Sequence, residues 1–264
     1  MKRNNNEMFY QLTVLLVAVI FVHTIYVTVV RPNANALVKH AAEVSAAGEQ
    51  YVVPRSFFVV IKDFEQESCF VLMLWALSIM AYKTRITMRE KSMLEMPLMT
   101  IAEGTRILPD DAGQLARPLQ SLPSEQQYFL LPRALQSALS RFEVTSSVQS
   151  ATEAVNSVCE AENSRLDSEL SMVRYITWAI PSIGFIGTVR GIGAALGQAH
   201  EAMEGNIAGV TASLGVAFNS TFVALLISIV VMFFIHQLQL IQERLVLDSY
   251  SYCENRLLRF LRSE

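Results

Sequence analysis

Charge is scarce in this chain of 264 residues. Only 17% of them are Asp, Glu, Lys or Arg, against about 25% in ordinary soluble domains. A net charge of −3 gives no case for nucleic-acid binding, and no nucleic-acid partner is expected. Cysteine is scarce too. Cys69, Cys159 and Cys253 lie far apart without paired spacing, which excludes a disulfide framework and a thiolate metal site. The usual catalytic signatures are also missing: no metal-ligand spacing, no nucleophile–base pair and no phosphate loop. "GFIGTVRGIG" spaces its glycines suggestively but follows no strand. The chain is therefore read as not an enzyme, with no cofactor and no metal.

What is abundant is apolar: 52% of residues are hydrophobic, and they are gathered into four blocks. About 20 such residues cross roughly 30 Å of hydrocarbon, so the fold class expected is an all-α integral membrane protein with four transmembrane helices. The first span is placed at 9–30, after a short cytoplasmic N-terminus 1–8. Its apolar run is too long for a signal-peptide core, and no small-x-small cleavage site follows, so it reads as a retained anchor. A loop 31–65 leads to the second span at 66–82, which could begin near Phe64. The third span is placed at 175–199 and the fourth at 207–235, joined by a turn 200–206.

Lys and Arg set the orientation. Lys2 and Arg3 precede the first span, Lys83, Arg85, Arg89 and Lys91 follow the second, and Arg165 and Arg174 precede the third. Arg244, Arg256, Arg259 and Arg262 follow the fourth, whereas "HEAMEGN" between the third and fourth has neither Lys nor Arg. Both termini and the segment 83–174 are accordingly placed in the cytoplasm, and the loop 31–65 and the turn 200–206 outside it. Five of the eight prolines fall between Pro97 and Pro132, so 83–145 is expected to be largely irregular, with a short helix near "PRALQSALSRF". From 146 to 174 no Gly or Pro interrupts a helical apolar spacing, and one long helix is expected to run into the third span. The segment 236–264 is expected to extend the fourth span in the same way.

The third block, "IPSIGFIGTVRGIGAALG", is odd for a membrane helix: it carries Pro181, five glycines, Thr188 and Arg190. Gly184, Gly187, Gly191 and Gly197 form small-xxx-small patterns that let helix backbones approach closely in lipid. Ala217, Thr221, Ala224 and Ser228 repeat the theme on one face of the fourth span. At 1.5 Å per residue, Thr188 and Thr221 each lie about 21 Å into their antiparallel helices, so both reach the central part of the membrane. For either threonine alone, a bond back to its own helix is the simpler expectation.

"AIPSIGFIGTVRGIG" resembles the third-helix motif of the MotA/TolQ/ExbB proton channel family, and "GVTASLGVAFNSTFVALLISIVV" resembles that family's last helix. Pro181, Gly184, Gly187, Thr188, Val189, Gly191 and Thr221 fall on the motifs, and the likeness covers about residues 150–245. The resemblance implies an ion-conducting subunit of an inner-membrane motor or energy-transducing complex in bacteria. It implies a ring of five copies around two copies of a small ExbD/TolR/MotB-like partner. Each partner has one transmembrane helix bearing an aspartate. The ion implied is the proton, with sodium second. Thr188 and Thr221 would line its path, while Pro181, Gly184, Gly187, Gly191, Ala217, Ala224 and Ser228 would form the packing face.

The spans fit such a partnership, because a proton path needs a titratable relay and none of the four cores contains Asp or Glu. His23 lies within the first span, and His236 sits near the cytoplasmic end of the fourth. Arg190 departs from the family pattern; about 200° around the helix from Thr188, it should point away from the threonine. Pairing with Glu65, Glu67, Glu201 or Glu204 is one reading of Arg190, and a gating role is the other. Asn219 is expected to hydrogen-bond between helices. Four spans with an inside N-terminus resemble the flagellar branch, whereas the paired threonines resemble the TolQ and ExbB branch, so the branch stays open. The alternative function is a non-conducting membrane scaffold that uses the same packing motifs.

Overall fold

The computed structural model describes residues 2–46, 56–99, 101, 105–203 and 205–262, with backbone only at 2–7, 41, 42, 45 and 46. Along the chain it forms α1 (Lys2–Ile25), a π-helical turn (Tyr26–Val30), α2 (Arg31–Ala46), α3 (Phe57–Ile61) and α4 (Phe64–Lys91). A 3-10 turn (Ser92–Glu95) then precedes α5 (Pro109–Gln120), α6 (Ser124–Gln127), α7 (Leu130–Thr145) and α8 (Val148–Glu169). After these come α9 (Ser171–Gly197), α10 (Ala199–Met203), α11 (Ala208–Arg256) and a second 3-10 turn (Leu258–Phe260). Four helical stretches are long and apolar enough to cross a membrane: Met8–His40, Phe64–Glu95, Val148–Gly197 and Ala208–Phe260. The chain divides into two compact units, Met1–Met80 with Met172–Ile235 and Ala81–Ser171 with His236–Glu264.

In the first unit, α1 and α4 run antiparallel. Trp75 donates its indole N–H to the Gln11 carbonyl at 3.0 Å, and Tyr10 donates to the Ser78 carbonyl at 3.4 Å. Further along, His23 meets Glu67. Most outward positions of α1 are apolar, with Leu12, Leu16, Ile20 and Phe21 exposed, as suits a helix against lipid, while Thr13 and Thr24 turn their hydroxyls back to their own helix. The helix does not end at Arg31, where a loop was expected. Pro32 has no N–H and would crowd the carbonyl four residues back. The π-helical turn just before it shifts the hydrogen-bond register, with the Arg31 N–H reaching the Tyr26 carbonyl, and the helix passes on to Ala46. The rest of the expected loop falls partly on residues 47–55, outside the described residues.

The second unit corrects the expectation of an irregular, proline-broken segment. Pro109 occupies the first turn of α5, where its missing N–H costs no hydrogen bond. Asp111 accepts the Leu108 N–H at 3.2 Å and so fixes the start of that helix. Between α7 and α8 the chain reverses over two serines. Ser146 takes the left-handed conformation at φ 50°, and Ser147 caps α8 by accepting the Ser150 N–H at 3.3 Å. Leu135, Leu139 and Phe142 of α7 are fully buried, with Leu119 of α5, Val155 of α8, and Leu257 and Leu261 near residue 260. Ile107 joins Leu261 in an isolated parallel bridge: its N–H reaches the Phe260 carbonyl at 3.0 Å, and its carbonyl accepts the Arg262 N–H at 3.1 Å. Residues 100 and 102–104 of this stretch lie outside the described residues.

The single helix expected over 146–174 is interrupted once. At Leu170 the N–H turns to the Asp167 carbonyl, three residues back, and the side chain is buried. The helix expected over 236–264 ends at Arg256, where the chain turns so that Leu257 and Leu261 reach the core; residues 263 and 264 lie outside the described residues.

Candidate functional site

α9 and α11 face each other through small residues. A Cβ on Gly184 would collide with that of Ala224. One on Gly187 would lie 2.5 Å from the Ser220 Cβ, and one on Gly191 2.8 Å from the Ala217 Cβ. These three glycines give up their side chains so that two backbones can meet inside one chain. Gly197, placed on the same stripe from its spacing, has nothing within 4 Å of its Cβ position. Ala217 and Ala224 are buried in the seam, and Ser228 continues it. Pro181 sits inside α9 and leaves the Thr177 carbonyl without its helical donor.

The close approach brings Thr188 and Thr221 together. Their hydroxyl oxygens are in direct hydrogen-bonding contact, half-buried between the two helices. Thr188 also lies 3.0 Å from the Ala217 carbonyl and 3.3 Å from that of Gly184, and Thr221 lies 3.1 Å from the Gly184 carbonyl. Each hydroxyl carries one hydrogen. Two orders are therefore available: Thr188 donates to Thr221, which donates to Gly184, or Thr221 donates to Thr188, which donates to Ala217. Concerted rotation converts one into the other. The pair can thus orient a polar guest from either side, but it holds no titratable group of its own. The bond of Thr188 to its own helix is one of several it makes, so the simple single-helix expectation describes it only in part.

Arg190 points away from the threonines and pairs with Glu65 at the start of α4, at 2.6 Å and 2.8 Å. Glu65 is one of the four partners named for it from the sequence; of the others, Glu204 lies outside the described residues. Glu65 is 6% exposed and also borders Gly187, its Cγ 3.1 Å from where a Cβ would be. Asn219 makes no side-chain hydrogen bond among the described residues, contrary to the interhelical role expected of it; it is half-buried, and Ser220 beside it faces the seam instead.

From the sequence, Glu65 and Glu67 entered only as partners for Arg190, and what else meets at the head of α4, where "EQE" opens an apolar helix, was missed. Glu67 is bound by His23 at 2.7 Å and Arg31 at 2.5 Å. Gln66 donates to the Val60 carbonyl at 3.2 Å and to Ser220 at 3.4 Å. Just before them, burial holds the Asp63 carboxyl above the usual carboxylate range, against the pull of Lys62 and Arg190. The legible signal was three polar residues, two of them acidic, in the first turn of a span that was otherwise apolar.

Residues 127–249 match the MotA/TolQ/ExbB proton channel family, a longer stretch than the motifs alone suggested, reaching back to include α7. No curated protein and no solved structure matches the chain.

Proposed function

Residues 127–249 being a MotA/TolQ/ExbB proton channel family domain, we propose that this chain conducts ions through a path lined by Thr188 and Thr221 and so drives mechanical work. Members of the family are transporters rather than enzymes, are located in the bacterial inner membrane, and partner with ExbD/TolR/MotB-type proteins. The observation that carries the reading is the paired hydroxyls in a seam held open to no other side chain by Gly184, Gly187 and Gly191. The pair supplies donors and acceptors inside an apolar helix pair, where polar groups are otherwise expensive. The carboxylate that takes and gives the proton belongs to the partner helix, and the proton rather than sodium is the ion. Five copies surround two partners, spans 9–30, 66–82, 175–199 and 207–235 cross the membrane, and both termini lie in the cytoplasm.

Thr221→Val keeps the side-chain shape and removes the hydroxyl. Proton flux through the purified complex in vesicles is expected to collapse while the complex keeps its native mass. Wild-type flux from Thr221→Val would overturn the reading. A non-conducting scaffold built on the same glycine seam would then be the better account, since that seam needs no hydroxyl.

A further inference from the structure

We propose that the first turn of α4 marks the extracytoplasmic edge of the hydrocarbon, where the Arg31 and Arg190 guanidinium groups meet phospholipid phosphates. The threonine pair then lies about one helical turn beneath that edge. This refines the ion path proposed above and rests on its membrane orientation.

Three consecutive residues of α4 tie three other helical segments to one level. Glu65 holds Arg190 of α9 at 2.6 Å, Gln66 reaches Ser220 of α11 at 3.4 Å, and Glu67 holds Arg31, the first residue of α2, at 2.5 Å. At that level the outward side chains change character. Leu16, Ile20, Phe21, Val27 and Val29 are exposed before Arg31, whereas Asn33, Asn35 and Lys39 are exposed after it. His23, the polar exception among them, is engaged by Glu67. On α11 the exposed residues of 208–217 are Ala208, Thr211 and Ala212. From Phe218 onward they are bulky, with Phe222, Leu225, Ile229 and Phe233 all exposed. The lengths agree. Phe218 to Phe234 and Arg174 to Arg190 each reach about 25 Å, near the roughly 30 Å of a hydrocarbon core. The whole of 207–235 would reach about 42 Å, which is the bilayer with its headgroup layers. Hydrocarbon is therefore confined to 175–190 of the third span and 218–235 of the fourth. Ile192 and Leu196 stay exposed beyond Arg190, but they continue one face with Phe185 and Val189, so that face is set for a neighbouring helix and does not report the lipid edge.

The two arginines at this edge are held but not used up. Arg190 gives Nε and one terminal nitrogen to Glu65, yet its side chain is 56% exposed; that of Arg31 is 34% exposed beside Glu67. Each guanidinium keeps N–H donors for a further acceptor. Arginine lays its apolar stem along lipid and sets its head at the interface, and its planar fork matches phosphate oxygens. The buried carboxylates of Glu65 and Glu67 thus fix the inner edge of each fork, and the outer edge is left to a headgroup. The ion path follows from the same level. Thr221 is next to Ser220, and Thr188 is two residues from Arg190, so both hydroxyls lie within about one turn of the edge and not at the centre of the bilayer. An ion from the extracytoplasmic side passes about one turn of protein to reach the pair, and has about 20 Å left to cross beyond it.

The test uses the complete complex with its single-span partner, in vesicles of phosphatidylethanolamine and phosphatidylglycerol and in phosphate-free buffer. Nitroxides are attached through Ala212→Cys and Phe222→Cys; the native Cys69, Cys159 and Cys253 are buried, and wild type sets the background. Power-saturation EPR compares collisions with oxygen, which concentrates in lipid, and with a water-soluble nickel chelate. The label at 212 is expected to favour the chelate and the label at 222 to favour oxygen. Thr211→Cys replaces Ala212→Cys if that variant fails to assemble. In the same vesicles, solid-state NMR should show the Arg190 and Arg31 Cζ signals dephased by lipid phosphorus, each signal identified by its loss in Arg190→Lys or Arg31→Lys. A label at 211 or 212 that favours oxygen, or that meets neither reagent, overturns the edge. Absence of dephasing at both arginines overturns the phosphate contact. Neither readout needs ion flow, so the expected profile in a complex that conducts nothing upholds the edge and overturns the conducting reading alone.

Discussion

At Asp63 one carboxylate oxygen is buried without a donor, and burial holds the carboxyl above the usual carboxylate range. The ionised form is therefore disfavoured by folding. A group raised in this way gives stability below pH 3.8 that is lost as the pH climbs through the raised folded value. Asp63→Asn removes the penalty. The variant is expected to melt higher than wild type at pH 7 and to show no advantage once the pH is at or below 3.8, measured by thermal unfolding in detergent. A second residue-scale prediction concerns the Arg190–Glu65 pair. Arg190→Leu strands a buried carboxylate and should cost about 3 kcal/mol, whereas Arg190→Leu with Glu65→Leu should recover most of that loss. Equal losses in the single and double variants would show that the pair is not what Arg190 contributes. Arg190's pairing was legible because two steps around a helix fix its direction. The Glu67 triad was not, since α1, α2 and α4 meet only through tertiary packing.

Between elements, the α9–α11 seam makes a graded prediction. Gly187→Ala places a methyl 2.5 Å from the Ser220 Cβ and must push the helices apart. Gly193 has nothing within 4 Å, so Gly193→Ala should be neutral or gain up to about 1 kcal/mol from helix propensity. Thermal melts of the two variants should move in opposite directions or, at the least, only the first should fall. Similar losses at both positions would mean that the seam is not the reason for the glycines. The seam was readable from spacing alone, because small-xxx-small patterns and matched depth are one-dimensional facts. The α5–α7–α8 core was not. Its prolines look like breakers until Pro109 is placed in a first turn, and the serine turn between α7 and α8 depends on a backbone conformation that serine rarely takes. The continuity of α1 into α2 was hidden for a related reason: a π-helical turn leaves no mark in composition.

For the whole molecule, the decisive quantity is stoichiometry. The native mass of the complex expressed with a single-span partner is expected to correspond to five copies of this chain and two of the partner. A monomer would leave the threonine pair without its carboxylate. All-helical architecture and four long apolar helices follow directly from the four blocks of the sequence. The split into two units does not, because each unit is assembled from two separated stretches of chain. That split governs how the protein can be made. The core of the second unit needs Ile107 and Leu139, but also Leu257 and Leu261, and between these stretches lie α9 and most of α11. On the ribosome, α5, α7 and α8 must wait for Leu257 and Leu261, which are made only after α9 and α11. Completion of this core is thus tied to synthesis of the last helix, and a chain cut short before Leu257 would leave the apolar faces of α5, α7 and α8 without part of their cover.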